Sequence, residues 1–145
     1  MTEVAFHFNI PDKQAYACRL LRKAVGGGAR VVVIASDKVL QQLDRELWTF
    51  SQLDFIAHAR IGDDARVVAA SAVILAQSAE NAPHQQVLLN LGDSVPAGFE
   101  KFERVIDIVS LDETDRQLAR TRWKQFADLG YTMTRHDIGQ KAANG

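Results

Sequence analysis

The chain has 145 residues and a mass of 16.1 kDa, with 47% hydrophobic and 24% charged residues, a composition that fits one globular domain and excludes a disordered chain, a collagen or a disulfide scaffold. Lys and Arg number 17 against 18 Asp and Glu, a net charge of -1, so no global field gathers nucleic acid or anionic lipid, and any charge-dependent function has to come from local placement. A chain of this length buries roughly 70% of the surface its unfolded form exposes, and the single cysteine, Cys18, permits no internal disulfide, which fits a reducing cytoplasm.

The opening MTEVAFHFNIPDK carries an acid and no basic run ahead of its apolar stretch, so no signal peptide is expected. No apolar segment approaches the roughly 20 residues of a membrane span. Residues 4–10, VAFHFNI, are predicted to form a first strand, stopped by Pro11. Asp12 caps a predicted helix to about Val25, with Ala17, Leu21, Ala24 and Val25 on one face, and Gly26-Gly27-Gly28 ends it. Val31 to Ile34 is an unbroken apolar run of the kind found in a parallel strand covered on both faces. Ser36 or Asp37 caps a second helix through Trp48, with Leu40, Leu43 and Leu47 inward. Residues 49–70 show no clean period and are expected to be mostly loop. Strands are predicted at 72–76, 87–91 and 104–109, with one or two helical turns at 96–103 burying Phe99 and Phe102. Asp112 or Thr114 starts the last long helix, which reaches Leu129 and stops at Gly130, and Tyr131 to Ile138 reads as a terminal edge strand. The order predicts a three-layer α/β/α domain with a largely parallel sheet, spanning 1–145, with 139–145 as a flexible tail.

Such an order invites a nucleotide site, and the glycines argue against one. Phosphate loops place glycine between a strand and the following helix, whereas PDKQ follows the first strand here and the triple glycine follows the helix. His7, His58, His84 and His136 are scattered without i, i+4 partners, so no metal site is expected. Cys18 sits near an apolar helical stripe and reads as a buried thiol. Asp63-Asp64 reads as a turn, and Asp112, Glu113 and Asp115 as a helix start where carboxylates meet the dipole favourably. No cofactor is expected, and no residues stand out for catalysis.

Residues 112–129 separate into two faces at 3.6 residues per turn. Leu118, Ala119, Phe126 and Leu129 are expected to meet the sheet. Arg116, Arg120, Trp123 and Lys124 fall within about 100° on roughly the opposite side. Arg122 projects into the apolar side and either snorkels or finds a carboxylate. Trp123 either packs beside Tyr131 or another element, or walls a small basic pocket suited to an acidic peptide ending in an apolar side chain and a carboxylate. The same composition can stack a nucleic-acid base, but a near-neutral chain with one such patch favours the local peptide. A second cluster, Leu47, Trp48, Phe50 and Phe55, is core by default, yet Trp48 and Phe55 flank a loop, where aromatics can anchor a partner protein.

In its opening Phe6-His7-Phe8, in Asp44-Arg45-Glu46-Leu47-Trp48 with Phe55-Ile56-Ala57-His58, and above all in Asp115-Arg116-Gln117-Leu118-Ala119-Arg120-Thr121-Arg122-Trp123-Lys124, the chain resembles the chi subunit of bacterial DNA polymerase III holoenzyme. The resemblance covers the full length, with residues 62–100 matching only in pattern. It implies a noncatalytic, cytoplasmic replication protein with a Rossmann-like fold and no nucleotide. The implied partners are the psi subunit, which tethers chi to the clamp loader, and the acidic C-terminal tail of single-stranded-DNA-binding protein; contact with nucleic acid is mainly indirect. Arg116, Arg120, Trp123 and Lys124 match the family's tail pocket, with Trp in place of a familiar Tyr and Arg in place of a familiar Lys. Trp48 and Phe55 match its psi-facing surface. A small nucleotide- or metabolite-binding α/β protein, or a direct single-stranded-DNA binder, is the alternative.

Overall fold

Aliphatic runs make the strands, and capped amphipathic stretches make the helices between them. In chain order the elements are β1 (Glu3–Ile10), α1 (Lys13–Gly26), β2 (Val31–Ile34), α2 (Asp37–Thr49), β3 (His58–Arg60), α3 (Ala65–Ala70), β4 (Val73–Ala76), β5 (Val87–Asn90), a 3-10 turn (Phe99–Lys101), β6 (Arg104–Ser110), α4 (Glu113–Asp128) and β7 (Met133–Asp137). The computed structural model describes residues 2–49 and 57–139. All seven strands run parallel in one sheet of order β3-β4-β2-β5-β6-β1-β7. Helices α1 and α2 cover one face, and α4 with the 3-10 turn covers the other. This is the expected three-layer α/β/α arrangement, with β7 at the predicted C-terminal edge.

The central strands show why their sequences lack alternation. Side chains of β2 point to the two faces in turn, so Val31 and Val33 enter the core under α1 and α2, while Val32 and Ile34 enter the core under α4. Both faces are dry, and every position is apolar. Caps appear where the sequence places them: the carboxylate of Asp12 accepts the Ala15 amide at 3.1 Å, the Ser36 hydroxyl accepts that of Val39 at 3.4 Å, and Asp112 accepts that of Asp115 at 3.0 Å.

Two expectations need correction. Residues 49–70 hold β3 and α3, of three and six residues; elements this short do not complete a period, and β3 is specified by pairing with β4. Leu129 does not meet the sheet but is 61% exposed, because the buried stripe of α4 runs through Ala119, Arg122 and Phe126 and the helix ends at Asp128. The tail expected at 139–145 lies outside the described residues from 140 on, while Gly139 sits so close to Asn9 that a Cβ there would come 2.8 Å from its carbonyl oxygen. Asn9 itself has φ 61, and pairing between β1 and β6 shifts between His7 and Ile10. That bulge sends Ile10 to the α1/α2 core, although Val4 and Phe6 face α4.

Arg122 finds a carboxylate rather than snorkelling. Its Nε and Nη2 donate to the two oxygens of Asp107 on β6, each at 2.8 Å, with the pair only 1% and 0% exposed. Its Nη1 donates to the Asp93 carbonyl at 3.0 Å, and the Asn90 amide donates to Asp107 at 3.2 Å and to the Ser94 carbonyl at 3.1 Å. Burial pushes the Asp107 carboxyl up, and the Arg122 guanidinium and Asn90 pull it back. Nearby, Asp115 accepts the Ser110 amide at 2.7 Å and pairs with Lys13 at 3.3 Å. Burial alone would raise the Asp115 carboxyl, but the Ser110 amide and the Lys13 ammonium outweigh it and hold it below its ordinary 3.8.

Removing one partner of the buried pair strands a charge, so Arg122→Ala is expected to lose about 3–5 kcal/mol in urea unfolding, whereas Asp107→Leu with Arg122→Met recovers most of it. Because the Asp115 carboxyl is depressed in the folded state, its contribution is complete above pH 3.8 and lost as pH falls through the lower folded value. Asp115→Asn is therefore expected to cost about 1–2 kcal/mol at pH 7, with the two unfolding curves converging in acid.

Candidate functional site

The topology builds the site. Strands β6 and β7 flank β1, so α4, which connects them, crosses over β1 and packs on its Phe6. Between the helix and the C-terminal halves of β1 and β7 lies an open cavity of about 400 Å3. Phe6, Phe8, Val109 and Ala119 supply its apolar surfaces. Arg116 and Arg120 line it from α4, Arg135 from β7, and Trp123 and Asn9 complete it. No carboxylate is among the lining residues. Three guanidinium groups over an apolar floor suit a ligand with negative charge at one end and an apolar group beside it.

Trp123 does both things open to it in the sequence. Its ring stands edge-on to Phe6 with centroids 5.1 Å apart, and it walls the cavity; Tyr131 packs instead on Phe99 and Phe126. The Arg135 guanidinium carbon lies 5.7 Å from the centroid of the Trp123 ring and 5.2 Å from that of Phe8. Arg120 reaches back two turns to Glu113 at 3.4 Å, an exposed pair that water screens. Of the four residues expected here, Arg116, Arg120 and Trp123 come together; Lys124 is exposed on α4 beyond the lining. Arg135, Phe8 and Asn9 were not foreseen: nothing local in an edge strand says which of its faces the preceding helix will cover, and the sequence does not show that α4 crosses over β1.

The second aromatic feature lies at the opposite edge. Trp48, at the end of α2, is 57% exposed, and its ring lies 4.7 Å from that of His58 on β3. His58 is buried, with Nε2 2.8 Å from the Asp44 carboxylate. Ile61 after β3 and Val67 on α3 are also exposed, so this edge presents several large apolar side chains. Phe55, grouped with Trp48 in the sequence, lies outside the described residues.

The histidines and the cysteine lie elsewhere in the fold. No group of three or more His, Cys, Asp and Glu that could hold a metal occurs among the described residues. His7 and His136 are register partners with rings 4.9 Å apart, and His7 Nδ1 is 2.6 Å from the Tyr16 hydroxyl; the 129-residue separation hides this meeting from sequence. Cys18 is buried, and burial and Glu46 push its thiol up to about 12, so it stays protonated at neutral pH.

Residues 1–134 match the family model of the DNA polymerase III chi subunit. The chain is 32% identical over 144 residues to DNA polymerase III subunit chi of Pseudomonas aeruginosa, covering 95% of this chain and 98% of that protein. It is 26% identical over 117 residues to that of Escherichia coli, covering 80% and 79%. Among solved structures, the C-terminal domain of the DEAD-box protein Dbp5 superposes with a TM-score of 0.57 at 13% identity, over 93% of this chain and 89% of that one. A complex containing S. cerevisiae Dbp5 gives a TM-score of 0.62 at 13% identity, over 92% of this chain and 41% of that one. These last two likenesses are of the fold alone. Matched from residue 1 to 134 by the family model and nearly end to end by a relative at 32% identity, the chain belongs to the DNA polymerase III chi subunit family.

Proposed function

We propose that this chain is a noncatalytic accessory subunit that joins the polymerase, through the psi subunit, to the acidic C-terminal tail of single-stranded-DNA-binding protein. The observation that carries the tail reading is the cavity lined by Arg116, Arg120, Arg135 and Trp123. Arg120 exchanges its exposed Glu113 partner for the tail's terminal carboxylate, Arg116 and Lys124 attract the acidic residues upstream, and Trp123 with Phe6 and Phe8 receives the apolar end. Trp48, supported from beneath by His58 and Asp44, is the anchor for psi. The sheet order supports a bridging role: β3 and β7 are its two edges, and six strand spacings of about 4.8 Å separate them by roughly 29 Å, so two partners can bind at once.

In calorimetry at low salt, Arg120→Ala is expected to weaken binding of an acidic peptide with an apolar last residue about tenfold, and added salt should weaken the wild-type complex. Unchanged affinity rules out the pocket assignment, and retention of the isolated chain on single-stranded oligonucleotide favours direct DNA binding instead. Trp48→Ala is expected to reduce co-purification with psi about tenfold or more while leaving peptide affinity intact; a variant that loses both has lost its fold rather than one interface.

A further inference from the structure

Of the three guanidinium groups at the cavity, Arg135 is placed differently from the others. It comes from the edge strand β7, across the cavity from the helix that carries Arg116 and Arg120. Its guanidinium carbon lies over two rings, 5.2 Å from the centroid of Phe8 and 5.7 Å from that of Trp123. These contacts use the charge of the group, and none of its N–H groups donates a hydrogen bond to a described residue. No carboxylate among the described residues pairs with Arg135, whereas Arg120 is engaged by Glu113. Beside it, Asn9 is held at φ 61, with its side-chain amide donating to Asp137 at 3.1 Å. A non-glycine residue in that conformation next to a cavity marks a place where the backbone is constrained by its surroundings.

We infer that Arg135 is a carboxylate-reading residue of the cavity, one half of a clamp whose other half is Arg120, and that together they select a free chain terminus over an internal acidic residue. The inference rests on the tail reading above. An acidic side chain inside a peptide carries its charge away from the backbone and is followed by more chain. A terminal carboxylate sits directly beside the last side chain, so the two can occupy the guanidinium edges and the apolar floor together. Contact with two rings restricts Arg135 before the ligand arrives, and so less ordering is required of it on binding.

The test uses the full chain and two acidic peptides of identical sequence with an apolar last residue, one ending in a free carboxylate and one in an amide. Wild type is expected to bind the free acid about tenfold more tightly than the amide. Arg135→Ala is expected to bind the two peptides within about twofold of each other, and Arg135→Lys, which keeps the charge but not the fork, to restore only part of the preference. If Arg135→Ala keeps the wild-type ratio, or weakens both peptides by one common factor, Arg135 contributes general charge and the inference is overturned. If wild type binds neither peptide, the tail reading itself fails. Trp123 fluorescence and thermal unfolding of each variant separate a lost clamp from a lost fold, and Arg135→Gln replaces the alanine variant if that one does not fold.

Discussion

The bidentate pair between Arg122 and Asp107 is the constraint on which the functional half of the molecule depends. It joins the middle of α4 to β6, draws in Asn90 at the end of β5, and fixes the following loop through the carbonyl of Asp93. A buried ion pair contributes little net stability compared with an apolar replacement, because desolvation offsets attraction. What it supplies here is rotation and register. A guanidinium aimed at one carboxylate allows α4 one setting about its axis, and that setting puts Ala119 and Phe126 into the core and Arg116, Arg120 and Trp123 at the cavity. An apolar stripe alone would tolerate a helix turned by several degrees either way.

With α4 set in this way, the path of the chain does the rest. Strand β1 lies between β6 and β7, so a helix linking the outer two must cross the middle one. The bulge at Asn9 lets β1 serve both cores, sending Phe6 and Phe8 toward the helix and Ile10 to the other face. The cavity forms because β1 and β7 extend beyond the cover that α4 gives them. Its walls are therefore a helix, two strands and the end of β6, rather than loops, and its cations are carried on regular elements. Such placement suits the proposed recognition of a short charged terminus by geometry as well as by attraction.

The two candidate surfaces also differ in physical character. At the β7 edge charge dominates, with three arginines and no acid in the lining, a surface that draws a ligand quickly and releases it as salt rises. At the β3 edge, the exposed indole of Trp48 rests on a buried histidine with Ile61 and Val67 nearby, a surface for the more permanent burial of apolar area.

Much of this was legible in the residues themselves. The strands at Val31 to Ile34 and Arg104 to Val109, the caps at Asp12 and Asp112, and the helix carrying Arg116, Arg120 and Trp123 follow from periodicity and capping chemistry, which act over a few residues. Arg122 was visible as an anomaly on an apolar face, though its partner was not. The short elements β3 and α3 were missed because three or six residues do not establish a period, and their existence depends on a neighbour to pair with or pack against. Arg135 and the meeting of His7 with His136 were missed because an alternating edge strand has two equivalent faces until something covers one of them. The sequence by itself determined the three long helices and the strands other than β3, that the sheet is buried on both sides, and that one helix carries an unusual basic and aromatic face. Only the tertiary structure decided that this face closes over β1, because side chains from α4, β1 and β7 converge through strand order and crossover, and these depend on contacts between residues more than a hundred positions apart.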